Sequence, residues 1–112
     1  MLKGEATWVL TNAITQSDPE QRAKFTQTFG GDLLNALCMR LRDLCEINHH
    51  ELIFEVLNAL EKLLELDREY PSEFEGDGRV GFLVDSFRGF DDIESLQEHP
   101  NEAIFEKARY IL

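Results

Sequence analysis

The chain has 112 residues, 43% of them hydrophobic, and 22 acidic residues against 11 basic ones give a net charge of −11. This length and composition fit one compact domain with a buried core. The acidic charge argues against a nucleic-acid partner, because binding phosphates requires a clustered basic surface. It favours a basic partner, although an acidic surface that only keeps the protein in solution is an equally good interpretation.

Membrane insertion and disulfide bonding are not expected. The sequence has no run of about 18 apolar residues, and residues 1–5 are not typical of a signal peptide. Cys38 and Cys45 are seven residues apart, which is about 10.5 Å along a helix. A disulfide needs Cα atoms within about 7 Å, so the two cannot pair inside a straight helix. Reduced cysteines favour an intracellular protein.

Helical periodicity begins at the N-terminus. Apolar residues spaced by three and four predict a first helix over about Leu2–Thr15. Asp18 followed by Pro19 is typical of the start of a second helix. That helix is expected to end at Gly30-Gly31, where left-handed backbone geometry is freely available.

The middle of the chain predicts two more helices. Asp32 is expected to cap a helix of medium length, which is followed by a break around 47–49. A longer helix then carries inward-facing apolar residues from Leu52 to Leu66. Residues 69–78, rich in Pro, Gly and acidic side chains, predict a loop.

The last third repeats this plan. A short helix with Val80 and Phe87 is expected to end at Gly89, and a second is expected to open at Asp91 or Asp92. A third starts at 100–102. No segment alternates with period two, so the sequence predicts an all-α fold without strands.

A pattern of Glu, an aromatic residue three positions later and Asn or Arg four positions beyond occurs three times. The copies are Glu5–Trp8–Asn12, Glu51–Phe54–Asn58 and Glu102–Phe105–Arg109. Glu5 to Glu51 is 46 residues and Glu51 to Glu102 is 51, and each copy lies along one helical face. Recurrence near 40–50 residues is typical of a helical solenoid, and three helices per unit favour armadillo repeats.

Two segments resemble a known family. Residues 4–13 (GEATWVLTNA) followed by 18–21 (DPEQ), and residues 89–108 (GFDDIESLQEHPNEAIFEKA), resemble importin-α (karyopherin-α). The resemblance covers essentially the whole chain and corresponds to the C-terminal armadillo repeats of that family. It implies an all-α, right-handed superhelical solenoid of about two and a third repeats. Residues 1–16 would be the third helix of a truncated repeat, 17–70 a full repeat and 71–112 the last repeat.

The resemblance also implies a peptide-binding site. In importin-α-like proteins the Trp and Asn of the motif line a concave groove that holds a basic nuclear localisation signal. The resemblance implies that the peptide-binding residues of this chain are Glu5, Trp8, Asn12, Phe54 and Asn58. An Asn amide can pair with a peptide backbone, and a Trp face attracts a Lys or Arg by ~0.5–2 kcal/mol. The alternative interpretation is that Trp8 is a packed core aromatic that truncation has exposed.

The motif weakens toward the C-terminus, because Phe offers a weaker ring than Trp and Arg109 would repel a basic peptide. Peptide binding is therefore expected at the N-terminal end, with a dissociation constant on the order of tens of micromolar or weaker. The resemblance further implies an export receptor and a nucleoporin as partners of the last repeats, and a protein of cytoplasm and nucleus. Acidic residues are candidates for contacting these partners, although a solvated acidic surface is the simpler interpretation. These residues are Glu65, Asp67, Glu69, Glu73 and Glu75.

A structural role without independent cargo binding is the alternative function. The apolar face of the first helix would then pair with another copy through Leu2, Ala6, Val9 and Leu10. His49 and His50 point to different sides of a helix and no Cys-x-x-Cys pair exists, so no metal is expected. No catalytic constellation or cofactor motif is found.

Overall fold

A computed structural model of the protein describes the backbone of residues 2–76 and 79–112, with side chains from residue 7 onward. These residues form six α-helices and no strand, and the helix bounds are α1 (Leu2–Gln16), α2 (Pro19–Ile47), α3 (His50–Glu69), α4 (Val80–Ser86), α5 (Gly89–Leu96) and α6 (Glu102–Ile111). The prediction of an all-α fold is confirmed. None of the described helices is long and apolar enough to cross a membrane.

The junction of α1 and α2 combines a predicted cap with an unpredicted arginine. Asp18 accepts a hydrogen bond from the Gln21 backbone N–H at 2.8 Å, as its N-cap position predicts. The buried Arg22 donates from Nε to the Ile14 carbonyl at 2.9 Å and from Nη2 to the Ser17 carbonyl at 2.6 Å. Because the last carbonyls of a helix lack intrahelical partners, this guanidinium completes the end of α1 and ties it to α2.

The helix α2 consists of two segments that meet at a kink at Phe29, where φ is −120° and ψ is 15°. The predicted junction of two helices therefore lies one residue before Gly30-Gly31. Neither glycine has a positive φ, and Asp32 lies inside the helix instead of capping a new one. Glycine permits a left-handed turn without requiring one. Here the buried leucines that follow, Leu33 and Leu34, favour continuation of the helix against the core.

The predicted break at 47–49 is confirmed. Asn48 ends α2 in the left-handed conformation, with φ 53° and ψ 48°, and the His49 side chain accepts a 3.4 Å hydrogen bond from the Leu52 backbone N–H. The following helix, α3, contacts α1, α2, α4 and α6. Its fully or nearly fully buried residues are Leu52, Ile53, Val56, Leu57, Ala59, Leu60, Leu63 and Leu66. The longer helix that the sequence predicts from Leu52 to Leu66 is thus the centre of the core.

The boundary between α4 and α5 was predicted wrongly. The short helix ends at Ser86, and α5 begins at Gly89 instead of Asp91 or Asp92, after Arg88 in a left-handed conformation with φ 61°. A β-carbon at Gly89 would lie 2.7 Å from Cys38 Sγ, so glycine is the residue that fits at the start of α5 without a shift of its neighbours. The predicted start of α6 is confirmed, because Asn101 caps it.

The described chain has a radius of gyration of 13.1 Å, about the value of a compact domain of this length. Six helices are too few to display a superhelix. The right-handed superhelical arrangement and the division into 1–16, 17–70 and 71–112 therefore stay predictions.

Both cysteines are free; Cys38 is buried and Cys45 is half-buried. Burial, with the negative charge of Asp92, raises the pKa of each thiol to about 11. We expect alkylation by iodoacetamide at pH 8 to be about 100-fold slower in the native protein than in the urea-unfolded chain, because the thiolate fraction falls tenfold per unit of pKa. Mass spectrometry at timed intervals measures both rates, and similar rates in the two states would contradict the burial of the thiols.

Candidate functional site

A surface cavity of about 330 Å³ lies where α1, α3 and the start of α6 meet. Its lining consists of Trp8, His50, Glu51, Phe54, Glu55, Asn101, Ala103 and Ile104. The Trp8 side chain is 46% exposed. Exposure is expected both for a groove residue and for a core aromatic uncovered by truncation, so both interpretations stay predictions. The cavity brings together the aromatic residues of the first two copies of the motif, which are 46 residues apart in the sequence.

The five predicted site residues divide into three groups. Trp8 and Phe54 line the cavity. Asn12 and Asn58 are half-buried and lie outside the lining, one helical turn beyond the aromatic residue of their own motif copy. The side chain of Glu5 falls outside the described residues. The structure thus joins the two aromatic positions in one site and leaves both amides apart from it.

Two carboxylates of this cavity were not among the predicted site residues. Glu51 and Glu55 both line it, and neither forms an ion pair with any described side chain. Glu51 had a signal in the sequence, because it is the first residue of the second motif copy. Glu55 had none beyond its place one turn after Glu51. An exposed indole beside two carboxylates attracts a cation through both the ring quadrupole and charge.

Internal cations occupy the other aromatic residues of the motif. Lys107 Nζ lies 5.6 Å from the ring centroid of Phe54, and the Arg109 guanidinium lies 4.9 Å from that of Phe105. Among the described side chains, no cation lies over Trp8. In the described part of the chain, the rings of the second and third motif copies thus carry an internal cation and the ring of the first copy does not.

His99 contacts two residues that line the cavity, Asn101 and His50. His99 Nδ1 accepts a 3.0 Å hydrogen bond from the Asn101 backbone N–H, so its Nε2–H donates to Asn48 Oδ1 at 2.7 Å. His50 packs edge-on against it, with ring centroids 5.0 Å apart. Burial and the neighbouring His50 lower the pKa of His99 below its ordinary value. The neutral imidazole links the turn before α3 to the start of α6.

One of the predicted acidic surface residues has a different role. Asp67 accepts hydrogen bonds from the backbone N–H groups of Val80 and Gly81, both at 2.8 Å, so its carboxylate is not free to meet a partner.

In the described part of the chain, no group of three or more His, Cys, Asp or Glu side chains is arranged to hold a metal ion.

Comparison with known proteins identifies the C-terminal unit. Residues 79–112, which contain α4, α5 and α6, match the model of a family described as Atypical Arm repeat. No match was found among curated proteins or among solved structures. Arm repeats generally mediate protein–protein interaction. The last third of the chain is therefore similar to an atypical armadillo repeat.

Proposed function

We propose that this chain is a protein-interaction module that binds a basic, extended segment of a partner, with one Lys or Arg side chain in the cavity beside Trp8. The observation that carries the proposal is the combination in one cavity of an exposed indole with two carboxylates, Glu51 and Glu55, that form no ion pair with any described side chain. The net charge of −11 favours the same class of partner. Binding involves no catalytic step.

The finer proposal is that the bound segment is a nuclear localisation signal. The chain would then act as part of a nuclear import adaptor in the cytoplasm and nucleus, with an export receptor and a nucleoporin at its C-terminal repeats. The support is the resemblance of residues 4–21 and 89–108 to importin-α, together with the armadillo repeat at 79–112. A single open ring contributes about 0.5–2 kcal/mol and each exposed ion pair about 0–1 kcal/mol. These contributions are small, so the dissociation constant is expected to be no tighter than the order of tens of micromolar.

A titration with a Lys/Arg-rich nuclear localisation peptide tests the proposal, because Trp8 is the only tryptophan and reports on the cavity by its fluorescence. We expect a saturable change that weakens between low and physiological salt, since exposed charge pairs are screened. The double variant Glu51→Gln, Glu55→Gln should lower affinity about 5–10-fold, since it removes two attractive charges.

A matched control is Glu46→Gln, Glu69→Gln, which removes the same charge at two exposed positions outside the cavity. Equal loss of affinity in both double variants would show that net charge alone attracts the peptide. The absence of any response at millimolar peptide would refute a usable site at Trp8.

Self-association through α1 is the alternative function. Val9 is 66% exposed, whereas Leu10 is partly buried and packs against the core, so Val9 offers the larger apolar surface to a second copy. The side chains of Leu2 and Ala6 lie outside the described residues. Apolar pairing would persist at high salt, in contrast to binding of a basic peptide. A strict monomer by light scattering at high micromolar concentration would count against it.

A further inference from the structure

The aromatic ring of Phe54 already carries a cation that belongs to the chain itself. Lys107, on α6, reaches across to α3, where its Nζ lies 5.6 Å from the Phe54 centroid and 3.2 and 3.3 Å from the two carboxylate oxygens of Glu61. The two charged side chains are 20% and 12% exposed. A ring paired with a carboxylate is the same chemistry that Trp8 and Glu51 offer to a ligand.

We propose that Lys107 is an internal competitor that fills a second cation subsite, formed by Phe54 and Glu61, and so restricts the protein to one basic side chain of its partner. This inference rests on the proposed binding of a basic segment at Trp8. It assigns Lys107 the role of a specificity-determining residue.

The position of Lys107 in the repeated motif supports this role. It lies five residues after the motif glutamate Glu102, and the corresponding residues of the first two copies are the apolar Leu10 and Val56. Val56 is fully buried and Leu10 packs against the core, so an apolar side chain would fit the pattern of the fold. A partly buried ion pair is often no more stabilising than an apolar replacement of similar volume. Stability alone therefore gives no reason for a lysine here.

Electrostatics determines what the lysine does to a ligand. A second ammonium group approaching Phe54 meets a like charge, and the Glu61 carboxylate that would balance it is already paired. Removal of the Lys107 charge frees the ring and the carboxylate together. Because Phe54 also lines the Trp8 cavity, a peptide anchored at Trp8 can reach the vacated subsite with a neighbouring basic residue.

The test compares two peptides that differ only in their number of basic residues, one with a single Lys and one with a run of Lys and Arg. Lys107→Met should tighten the multiply basic peptide about 5–10-fold and steepen its salt dependence, because one further cation is bound. The affinity of the single-Lys peptide should change less than about twofold. Lys62→Met is the matched control, since it removes the same charge from a half-buried lysine of α3 that forms no ion pair with a described residue.

A second variant tests the subsite without the loss of stability that Lys107→Met can cause. Lys107→Met leaves Glu61 partly buried without its partner, and that can unfold the protein. The double variant Lys107→Met, Glu61→Gln leaves no such charge and frees the ring without changing the net charge, so a gain of about 2–3-fold is expected from the ring alone. Unchanged affinity in this folded double variant would show that Lys107 does not occupy a subsite.

The outcomes separate the two proposals. Binding by the native protein with no greater gain in Lys107→Met than in Lys62→Met overturns the internal competitor and leaves the Trp8 site intact. Binding only after Lys107→Met supports the competitor and shows that the native surface is closed. Failure of every variant to bind either peptide overturns both proposals.

Discussion

Replacing Gly89 with Ala is expected to destabilise the protein by about 1–3 kcal/mol, the usual effect of forcing extra volume into a packed core. The added β-carbon would lie 2.7 Å from both Cys38 Sγ and Val84 Cγ1, and 3.2 Å from the Val84 carbonyl oxygen. The backbone oxygen cannot rotate away as a side chain can. The start of α5 would therefore have to move away from α2 and α4, and urea unfolding followed by circular dichroism measures the loss.

Gly31→Ala is the matched control, since it makes the same chemical change in a position with open space. No atom outside its own stretch of helix lies within 4 Å of the added carbon, and Gly31 lies two residues after the kink at Phe29 without a positive φ. Alanine is favoured over glycine in such a position by about 0.5–1 kcal/mol, so this variant should be slightly more stable than the native protein. A clear destabilisation would instead indicate that Gly31 ends a helix, as the sequence alone predicts.

Replacing Asp67 with Ala is expected to lower the free energy of unfolding by about 2–3 kcal/mol. Its carboxylate, 10% exposed, accepts hydrogen bonds from the backbone N–H groups of Val80 and Gly81, the first two residues of α4. Arg79, the N-cap residue, contributes no side-chain hydrogen bond of its own. Because hydrogen bonds to a charged acceptor contribute about 1.5–3 kcal/mol, the loss of this cap leaves α4 poorly attached to α3.

Glu69→Ala provides the comparison for Asp67→Ala. Glu69 is an exposed acidic residue at the end of the same helix, where a negative charge gains nothing from the helix dipole. Its replacement should change stability by less than about 0.5 kcal/mol. If both variants unfold at the same urea concentration, the cap makes no measurable contribution to the free energy of unfolding. Hydrogen exchange at Val80 and Gly81 gives a local readout, and it should accelerate only in Asp67→Ala.

Helix boundaries that depend on short-range interactions were predictable from the sequence, whereas those that depend on packing between distant helices were not. The start of α2 at Asp18, the break at Asn48 and the start of α6 at Asn101 were predictable, because each depends on caps within three or four residues. The helical conformation of Gly30, Gly31 and Asp32 directly after the kink at Phe29 was not predictable in the same way. It depends on leucines that pack against distant helices, and local propensity is a weak prior against such burial.

The sequence by itself determined the helical class of the chain and the repeated face that carries Trp8 and Phe54, since both follow from a periodicity of 3.6 residues. Only the tertiary structure decided which of these residues share a cavity. It placed Glu51 and Glu55 beside Trp8, left the two asparagines outside, and set Lys107 over the ring of Phe54. The physical reason is that spacing along a helix defines a face, whereas the partner of that face depends on how helices far apart in the chain pack.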